Sequence, residues 1–459
     1  MKKAWELERE LRINAIPMDR RIHGSGWFDL GVLIQANDML LKMFWEEHVP
    51  GSGAVEHAYM EMIQAQENKG YDLSKAVPFY EKGMRLLRSD DLAGLRAVTT
   101  EMLEAIFSAP KIKDHPYFQY FHPETWDSVV EEMGEVDHEN KTGSISDLAQ
   151  KIHQGWVGQL AGASFGTAIE GYTGENIAKV YGEVTSYITD PETMNDDVVY
   201  ELILLDVFEQ KGRYFTSKDL GLEWVKQLSF AWSAEWIAFQ NIKQGYLPPV
   251  SGSHRNPYSN WIGAQMRGMI CGMLAPGWAL EAARLAHVDG VVSHSANGVY
   301  GEIFAAVLTS LAFIEKDPRK LILSAAEYIP ARSEYKDYLN FVLKTAKQES
   351  DPIKAWHVCD EFLKRYNWIH AYPNMAADVL ALWFGEGDMT KTLSILAKAG
   401  MDVDCNGGLV GNILGITGGV PAKWADPIGD LLETYLPGKE RLSIKKLADS
   451  TTELSERSD

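Results

Sequence analysis

The chain has 459 residues, which is long for one compact unit and favours two units or one enlarged domain. Apolar residues make up 46% of it and charged residues 24%, a balance typical of soluble globular proteins. The formal charge of -20 argues against a nucleic-acid groove, which needs clustered lysine and arginine. Excess carboxylate is explained either by solubility or by a cation site.

Cysteine usage and apolar runs bear on the compartment of the protein. The three cysteines lie far apart and form no CxxC pair, which fits a reducing compartment better than a disulfide scaffold. Residues 1–14 alternate charged and apolar side chains and lack the apolar core of a signal peptide. The longest apolar run, 303–314, is too short to span a bilayer. We therefore expect a cytoplasmic protein that binds neither nucleic acid nor a membrane.

Helical periodicity dominates the sequence and strand signals are sparse, so we expect an all-α fold. Ser89 and Ser146 stand where the N-caps of two of these helices are expected. The predicted helices are 76–88, 90–108, 147–169, 197–211, 220–243, 259–274, 278–287, 297–315, 336–347, 353–365, 374–384, 389–399 and 407–417.

A polar, glycine-containing segment without periodicity, 134–146, divides the chain. We expect an N-terminal helical region at 1–145 and a main domain at 146–440. The last residues, 441–459, are polar and are predicted to form a tail that is mobile beyond Leu447.

Two carboxylates open the glycine-rich stretch GMDVDCNGGLVGNILGITGG. The first half of an EF-hand loop is matched here by Asp402, Asp404, Asn406 and Gly407. Position 12 of such a loop needs a bidentate glutamate, and Ile413 stands there. An EF-hand is therefore excluded, and these carboxylates either find partners elsewhere in the chain or are surface acids.

A second acidic pair, Asp196 and Asp197, follows Asn195 and precedes a strongly apolar predicted helix. Taken alone, this pattern is explained by an N-cap and favourable first-turn charges. Because the helix is apolar on nearly all faces, its start is expected to be buried, where adjacent carboxylates repel unless a cation neutralises them. Two such pairs favour one or two hard cations, Mg²⁺ or Mn²⁺.

Glycines recur beside the acidic stretch and in an upstream helix. Gly158, Gly162 and Gly166 are spaced four apart, which places them on one stripe of a helix and permits close crossing of another helix. The glycines of 407–418 each cost about 1 kcal/mol against alanine in a helix, so we expect another backbone or a ligand to approach there. The two segments are expected to pack together, which would bring Glu170 to the same cleft.

These segments, in this order, resemble the ADP-ribosylglycohydrolase family over about 151–425. The family's glycine-rich helix motif falls on Gly166 and Glu170, its T/S-D-D motif on 195–197 and its D-x-D-T/S motif on 402–405. The N-D-D and D-x-D-C-N forms resemble a bacterial branch of the family. Segments around His294, His370 and Asn374 are also similar to that branch.

Three positions depart from the family pattern. Ala163 stands where the family usually has an aspartate, Asn195 replaces a Ser/Thr metal ligand, and Cys405 replaces another hydroxyl ligand. A thiol is a poor partner for Mg²⁺, so one metal is expected to be held more weakly or to be absent.

The resemblance implies a compact multi-helix bundle with an N-terminal helical extension and a two-metal centre in a cleft. It implies hydrolysis of a glycosidic bond at the anomeric carbon, commonly of ribose, in a small-molecule, ADP-ribosyl or other glycosyl substrate. Expected metal ligands are Asn195, Asp196, Asp197, Asp402, Asp404 and Cys405. Expected catalytic residues are Asp197, Asp402 and Glu170, the last as general base or gate. Expected substrate-binding residues are His294, Asn297, Tyr300 and Glu302.

Other hypotheses stay open. An α/α-toroid glycoside hydrolase would also be all-α and acidic, but would work with two carboxylates and no metal. A non-catalytic structural or binding protein on the same fold is the second rival. The aromatic stretch 114–126 suits either a sugar-stacking wall or a contact between subunits, so a homo-oligomer is also open. The leaving group and the exact sugar are not specified by the sequence.

Overall fold

The computed structural model describes residues 2–23 and 30–457, and helices dominate it, which confirms the all-α prediction. The N-terminal elements are α1 (Ala4–Asn14), α2 (Arg20–His23), α3 (Leu30–Trp45), β1 (Glu47–His48), β2 (Val55–Glu56), α4 (Ala58–Asn68), α5 (Val77–Arg88), α6 (Leu92–Phe107) and α7 (Trp126–Glu131). Short 3-10 turns lie at Pro116–Gln119, Thr142–Ser144, Gln265–Arg267 and Ala326–Tyr328.

The remaining elements form the larger part of the molecule. They are α8 (Leu148–Gly166), β3 (Tyr172–Thr173), α9 (Gly174–Tyr181), α10 (Asp197–Lys211), α11 (Ser217–Gln227), α12 (Ser233–Lys243), α13 (Val250–Ser253), α14 (Met269–Leu274), α15 (Ala279–Gly290), α16 (Asn297–Ala312), α17 (Pro318–Ala325), α18 (Glu334–Gln348), α19 (Pro352–Leu363), α20 (Ala371–Gly385), α21 (Met389–Ala399), β4 (Gly400–Met401), α22 (Val403–Gly418), α23 (Ala422–Ile428), β5 (Leu432–Glu433), β6 (Arg441–Leu442) and α24 (Ile444–Ser455). Across 2–23 and 30–457, no helix has the length and apolar character needed to cross a membrane.

Two predicted helices are wrong because the sequence pattern hid a break. The region 220–243 forms α11 and α12, since Leu228 and Trp232 adopt extended backbone between them. The region 259–274 is mostly turns and contains only the short 3-10 turn Gln265–Arg267 and α14. In both regions an apolar run was taken for helical periodicity, although such a run also suits buried irregular chain.

The two predicted N-caps are also wrong, by one or two residues. Asp91 caps α6, where its Oδ1 accepts a hydrogen bond from the N–H of Gly94 at 2.9 Å, whereas Ser89 ends α5. The N-cap position of α8 is Asp147, not Ser146, and its side chain makes no capping hydrogen bond. Helix ends are the least certain part of a sequence prediction because several polar residues compete for each cap.

Helices α8 and α22 cross in direct backbone contact at the centre of the larger part. A Cβ added to Gly162 would overlap the carbonyl oxygen of Gly407, and one added to Gly158 would overlap that of Gly411. Nearer the end of α8, a Cβ on Gly166 would overlap the backbone of Asp404. The predicted close packing of the two glycine-rich segments is therefore present in the structure. It places the end of α8 against the start of α22.

The N-terminal region packs against the main part and has a smaller apolar core of its own. That core includes Trp45, Leu95 and Met102, and it extends to Tyr258 and Trp261 of the main part. The phenol of Tyr258 also donates a hydrogen bond to the carbonyl of Ala58 at 2.7 Å. The predicted boundary at 145/146 remains a prediction, but the two regions share side-chain contacts.

The predicted mobile tail is wrong, because 441–457 is ordered. Leu442 pairs with Leu432 in the β5–β6 ladder, and α24 buries Leu447, Thr451 and Leu454. Thr451 also accepts a hydrogen bond from the indole of Trp156 in α8 at 3.1 Å. The apolar positions of α24 recur at helical spacing, a signal that the overall polarity of the segment concealed.

Candidate active site

A cavity of about 330 Å³ lies at the ends of several helices. All five predicted acids line it, together with Asn195 and Cys405. These acids are Glu170, Asp196, Asp197, Asp402 and Asp404. Two chain segments about two hundred residues apart thus meet in one cleft, as the sequence led us to expect.

The first acidic segment is held by Asn195 at the start of α10. Its side-chain oxygen accepts a hydrogen bond from the N–H of Asp197 at 2.7 Å, which satisfies one of the free amides at the helix start. Its amide then donates to Oδ2 of Asp404 at 3.1 Å. Asn195 therefore links the two acidic segments directly. Because its carbonyl oxygen is already engaged by the backbone, the arrangement favours a positioning role over the predicted metal ligation.

The second acidic segment is fixed by Asn374 of α20. The side-chain oxygen of Asn374 accepts from the N–H of Asp402 at 3.1 Å and from the amide of Asn406 at 2.8 Å. Its own amide donates to the carbonyls of Trp368 and His370 at 2.7 and 2.9 Å. Because both the oxygen and the nitrogen of this buried side-chain amide are hydrogen-bonded, Asn374 holds the start of α22 in one position.

Glu170 reaches the same place through a short strand pair. Beyond α8 the chain turns, and Tyr172 in β3 pairs with Met401 in β4, one residue before Asp402. The N–H of Gly171 also donates to the carbonyl of Met401 at 2.9 Å. This pairing ties Glu170 to the acidic segment, and the side chain is 8% exposed.

Each carboxylate of the cluster makes ionisation of its neighbours less favourable. Burial, followed by the charge of Asp404, raises the pKa of Asp196 to about 6. The same two causes, in the same order, hold the pKa of Glu170, Asp197 and Asp402 well above the usual carboxyl range. Buried carboxylates that repel each other take up either protons or a cation.

The free oxygens of the cluster suit a hard cation. Asp197 Oδ2, Asp402 Oδ1 and Asp404 Oδ1 are buried and have no hydrogen-bond partner among the described residues. One ligand atom from each of Asp402, Asp404 and Cys405 also lies within 4.8 Å of the other two. Carboxylate oxygens of this kind are the ligands that Mg²⁺ and Mn²⁺ prefer. The donor set therefore fits a divalent cation held by the aspartates.

Cys405 faces the cluster as a thiol. Its Sγ lies 3.4 Å from Oδ1 of Asp197 and 3.9 Å from the sulfur of Met266. Burial, followed by the charge of Asp197, raises the pKa of the Cys405 thiol well above its ordinary value. A protonated thiol donates to a carboxylate and is a poor ligand for a hard cation, so these contacts favour support of Asp197 over metal ligation.

Glu235, at the start of α12, is an acid of the cavity that the sequence did not suggest. Its Oε1 accepts a hydrogen bond from Arg267 at 2.8 Å, and Arg267 also donates to Asp289 at 2.9 Å and to Ser293 at 2.9 Å. Burial raises the pKa of Glu235 to about 7, against the opposing charge of Arg267. Arg267 is fully buried, so the pair fixes Glu235 rigidly in the wall.

The aromatic part of the wall also escaped the sequence analysis. It consists of Trp232, Trp261, Trp368 and Tyr435, whereas the aromatic stretch 114–126 does not line the cavity. These four residues come from four separate segments, and no periodic pattern joins them.

The four predicted substrate-binding residues do not line the cavity, and their role in substrate binding stays a prediction. Asn297 accepts from the N–H of Tyr335, and the phenol of Tyr300 donates to a backbone carbonyl at 2.7 Å. His294 shares a hydrogen bond with Ser293 at 2.8 Å, and Glu302 is fully buried. Asn297, Tyr300 and Glu302 lie on α16, which is buried on nearly every face, and His294 is buried just before that helix.

Comparison with known proteins places the chain in a family. The model of the family described as ADP-ribosylglycohydrolase matches residues 144–459. A solved chain named "ADP-ribosylglycohydrolase-related protein complex" is 19% identical, with a TM-score of 0.45, and the match covers 67% of this chain and 99% of that one. No curated protein matches. Because the family model spans well over half of the sequence, the chain belongs to the ADP-ribosylglycohydrolase family, which suggests a hydrolase that acts on glycosyl bonds.

Proposed function

We propose that the protein is a metal-dependent hydrolase that cleaves an N- or O-glycosidic bond at the anomeric carbon of a ribosyl or related sugar. The observation that carries the proposal is that buried carboxylate oxygens of Asp197, Asp402 and Asp404 meet in one cavity and have no hydrogen-bond partner within 2–23 and 30–457. Burial of such carboxylates costs several kcal/mol of folding free energy unless a cation compensates it. A purely structural protein would gain nothing from that cost.

The residues divide into three tasks in this proposal. Asp196, Asp197, Asp402 and Asp404 would hold one or two divalent cations, Mg²⁺ or Mn²⁺. When bound, such a cation polarises water and orients sugar hydroxyls. Asn195 and Asn374 keep the two acidic segments at a fixed separation through the hydrogen bonds described above.

Glu170 is the proposed general base. It accepts a proton from the attacking water while the water oxygen forms a bond to the anomeric carbon and the bond to the leaving group breaks. The electron pair of the broken bond leaves with the departing group, and a group that departs as an anion receives the proton that Glu170 has accepted. The supporting observation is its place beside Asp402, tied there by the β3–β4 pair.

A turnover screen tests the proposal. Purified protein is assayed with ADP-ribosyl, nucleoside and nitrophenyl-glycoside substrates in Mg²⁺ or Mn²⁺, in chelator, and after restoration of the metal. We expect hydrolysis of at least one class, loss of that activity in chelator, and recovery with metal. Full activity in chelator would instead support a metal-independent glycoside hydrolase.

The matched variants are Asp402→Ala and Asp426→Ala. Asp402 is buried in the cavity, whereas Asp426 is exposed on α23. We expect the first to lower kcat by at least about 100-fold and the second to leave kcat unchanged. Equal activity of both variants would contradict the proposed role of the aspartate cluster.

A further inference from the structure

One wall of the cavity comes from the N-terminal region, outside the residues 144–459 that the family model matches. This wall is the β1–β2 hairpin, residues 47–56, and its lining members are Glu47, Val49, Pro50 and Glu56. Thr167 and Glu170, in the segment that follows α8, line the same cavity. The hairpin and the segment that carries the proposed base therefore meet at the site.

The base of the hairpin is anchored in the N-terminal region. Helix α3, which leads into β1, ends at the fully buried Trp45, whose indole N–H donates to Oγ1 of Thr99 at 2.9 Å. Helix α4 begins two residues after β2, and the carbonyl of its Ala58 accepts the hydrogen bond from Tyr258 described above. Because both ends of the hairpin are anchored, its two paired strands are held as a unit.

The turn of the hairpin has hydrogen bonds of its own. The N–H of Val49 donates to the carbonyl of Ala54 at 2.8 Å, and the N–H of Gly53 donates to the carbonyl of Val49 at 2.9 Å. The hydroxyl oxygen of Ser52 accepts from the N–H of Ala54 at 3.1 Å. These bonds fix the shape of the turn, so it can support a neighbouring segment.

The turn packs against the segment 167–172 ahead of Glu170. A Cβ added to Gly51 would overlap the methyl group of Thr167 and would lie 3.2 Å from the carbonyl oxygen of the same residue. The hydroxyl of Thr167 in turn donates to the carbonyl of Ala163 in α8 at 3.0 Å. The turn therefore rests on the chain where it leaves α8.

The turn also contacts the segment directly after Glu170. A Cβ added to Gly171 would lie 2.7 Å from the Cβ of Ala54, and the phenol of Tyr172 donates to the carbonyl of Ser52 at 3.1 Å. Glu170 thus lies between two points at which the hairpin supports its backbone.

The support of this segment from the other side is short. The β3–β4 ladder, which ties the segment to the chain before α22, is two residue pairs long, and ladders of this length are marginal on their own. A general base must be held closely in place, because a displacement of about 1 Å can lower the rate by about 100-fold. A second support for Glu170 is therefore of direct use to the chemistry.

We propose that the β1–β2 hairpin positions the catalytic base: its turn, residues 49–54, holds the segment 167–172 against the chain before α22 and keeps Glu170 in place. Gly51, Ser52 and Ala54 are positioning residues, because none of them lines the cavity and each acts through the segment. The N-terminal region is then a required part of the active site. The inference rests on the proposed function and deepens it.

Gly51→Ala and Gly53→Ala form a matched pair of variants. Both glycines lie in the turn with positive φ, +94° and +73°, so alanine strains the backbone at either position. The new methyl group meets Thr167 from position 51, whereas nothing lies within 4 Å of a Cβ built at position 53. We expect Gly51→Ala to lower kcat by about tenfold or more relative to Gly53→Ala, with KM changed by less than about threefold.

The substrate for these measurements is a nitrophenyl riboside, or the ADP-ribosyl or nucleoside compound that the turnover screen shows to be hydrolysed. A rescue variant separates displacement of the segment from strain within the turn. Thr167→Ser removes the methyl group that the Cβ at position 51 meets and keeps the hydroxyl. Measured against Thr167→Ser alone, we expect the double variant to recover at least about threefold of the lost kcat. No recovery would assign the loss to backbone strain at Gly51 and overturn the inference.

Hydrogen exchange provides a readout that needs no turnover. Tyr172→Phe removes the hydrogen bond to Ser52 without adding an atom near the turn, and the exposed Tyr181 of α9 supplies the control Tyr181→Phe. The amide of Gly171, which donates to the carbonyl of Met401 at 2.9 Å, reports on the segment. We expect it to exchange about threefold faster or more in Tyr172→Phe and at an unchanged rate in the control.

Calorimetry with Mn²⁺ separates positioning of the base from damage to the aspartate cluster. Because Asn195 and Asn374 position the aspartates, we expect the Mn²⁺ affinity of Gly51→Ala to stay within about threefold of that of the unchanged protein. A loss of affinity as large as the loss of kcat would mean that the hairpin acts on the cluster, and would overturn the role assigned to Glu170.

The outcomes separate the inference from the proposed function. Turnover by the unchanged protein, together with equal kcat in Gly51→Ala and Gly53→Ala, overturns the inference and leaves the proposed function standing. If the unchanged protein hydrolyses none of the compounds, the proposed function fails. Exchange at Gly171 then tests the support of the segment alone, and an unchanged rate in Tyr172→Phe overturns that as well.

Discussion

The side-chain amide of Asn195 donates a hydrogen bond to Oδ2 of Asp404 at 3.1 Å, between residues that lie 209 positions apart. This contact links the two acidic segments directly, as does the contact of the Cys405 thiol with Asp197 at 3.4 Å. The Asn195 amide gives Asp404 a neutral donor and adds no charge to the cluster.

The first prediction concerns this contact. Asn195→Asp removes the donor and places another carboxyl beside Asp404, so we expect the free energy of unfolding in chelator to fall by about 1–3 kcal/mol. Added Mn²⁺ should narrow the difference, because a cation offsets the extra charge. Urea denaturation with and without Mn²⁺ measures both effects.

Asn176→Asp is the matched control, since Asn176 is exposed in α9 and does not line the cavity, so its substitution adds the same charge at the surface. We expect it to change stability by less than about 0.5 kcal/mol. If Asn195→Asp proves as stable as the control in chelator, the hydrogen bond to Asp404 has no part in holding the cluster.

The second prediction concerns the coupling between cation binding and folding. A cation that binds only the folded chain stabilises it by about 2.7 kcal/mol at about 100 times its Kd. We therefore expect Mn²⁺ to raise the Tm of the protein and Asp404→Asn to abolish most of that rise, because Oδ1 of Asp404 has no other partner in the described chain. Calorimetric Tm values with and without Mn²⁺ check this.

Asp426→Asn supplies the comparison for this experiment, because its side chain lies in the solvent. We expect its Mn²⁺ response to equal that of the unchanged protein. A Tm that does not respond to Mn²⁺ or Mg²⁺ in any of the three proteins would argue against a divalent cation at this cluster.

The acidic half of the cavity could be predicted from the sequence because its signals are local. Asp196 and Asp402 each stand at the start of an apolar helix, and the glycine spacing from Gly158 to Gly166 indicated a close helix crossing. Together these patterns place Glu170 beside the aspartates without any knowledge of the intervening chain.

The rest of the wall could not be predicted, because its members share no sequence pattern. Glu47 sits in a two-residue strand, Glu235 begins a helix whose boundary was missed, and Trp368 lies in a turn. Their meeting depends on how distant segments pack. By contrast, the family resemblance led us to expect His294 and Glu302 at the site, yet both side chains are buried and neither lines the cavity.

The third prediction tests the helix crossing. Gly162→Ala places a methyl group on the carbonyl oxygen of Gly407, and neither backbone can move without disturbing the acidic segments. We expect a loss of about 3 kcal/mol or more in the free energy of unfolding, as overpacking of a rigid contact is costly. Equilibrium denaturation provides the measurement.

Gly418→Ala is the control for the helix crossing. Gly418 is the last residue of α22, and nothing lies within 4 Å of a Cβ built there. Alanine is favoured over glycine in a helix, so we expect this variant to be unchanged or slightly more stable. If both alanine variants have the same stability, the close contact between α8 and α22 is not needed for the fold.

The fourth prediction concerns pH and the β1–β2 hairpin. Burial, followed by the charge of Glu56, raises the pKa of Glu47 from 4.5 to about 8. Glu56 and Glu61 behind it are buried acids whose pKa values are also raised, chiefly by burial. Because the folded state prefers the protonated form of Glu47, that stabilisation is complete below about pH 4.5 and is lost as the pH rises through about 8.

Glu47→Gln removes this titration, so we expect the Tm of the variant, measured in chelator, to fall less than that of the unchanged protein between about pH 5 and pH 8. The difference in Tm between the variant and the unchanged protein should be smallest near about pH 5 and should grow as the pH rises, because only the charged carboxylate is disfavoured in the hairpin. Glu46→Gln, at the exposed neighbouring position, should follow the curve of the unchanged protein. A constant gap for Glu47→Gln across this range would mean that Glu47 is ionised in the folded state throughout, and that its carboxylate faces water and not the interior of the cavity.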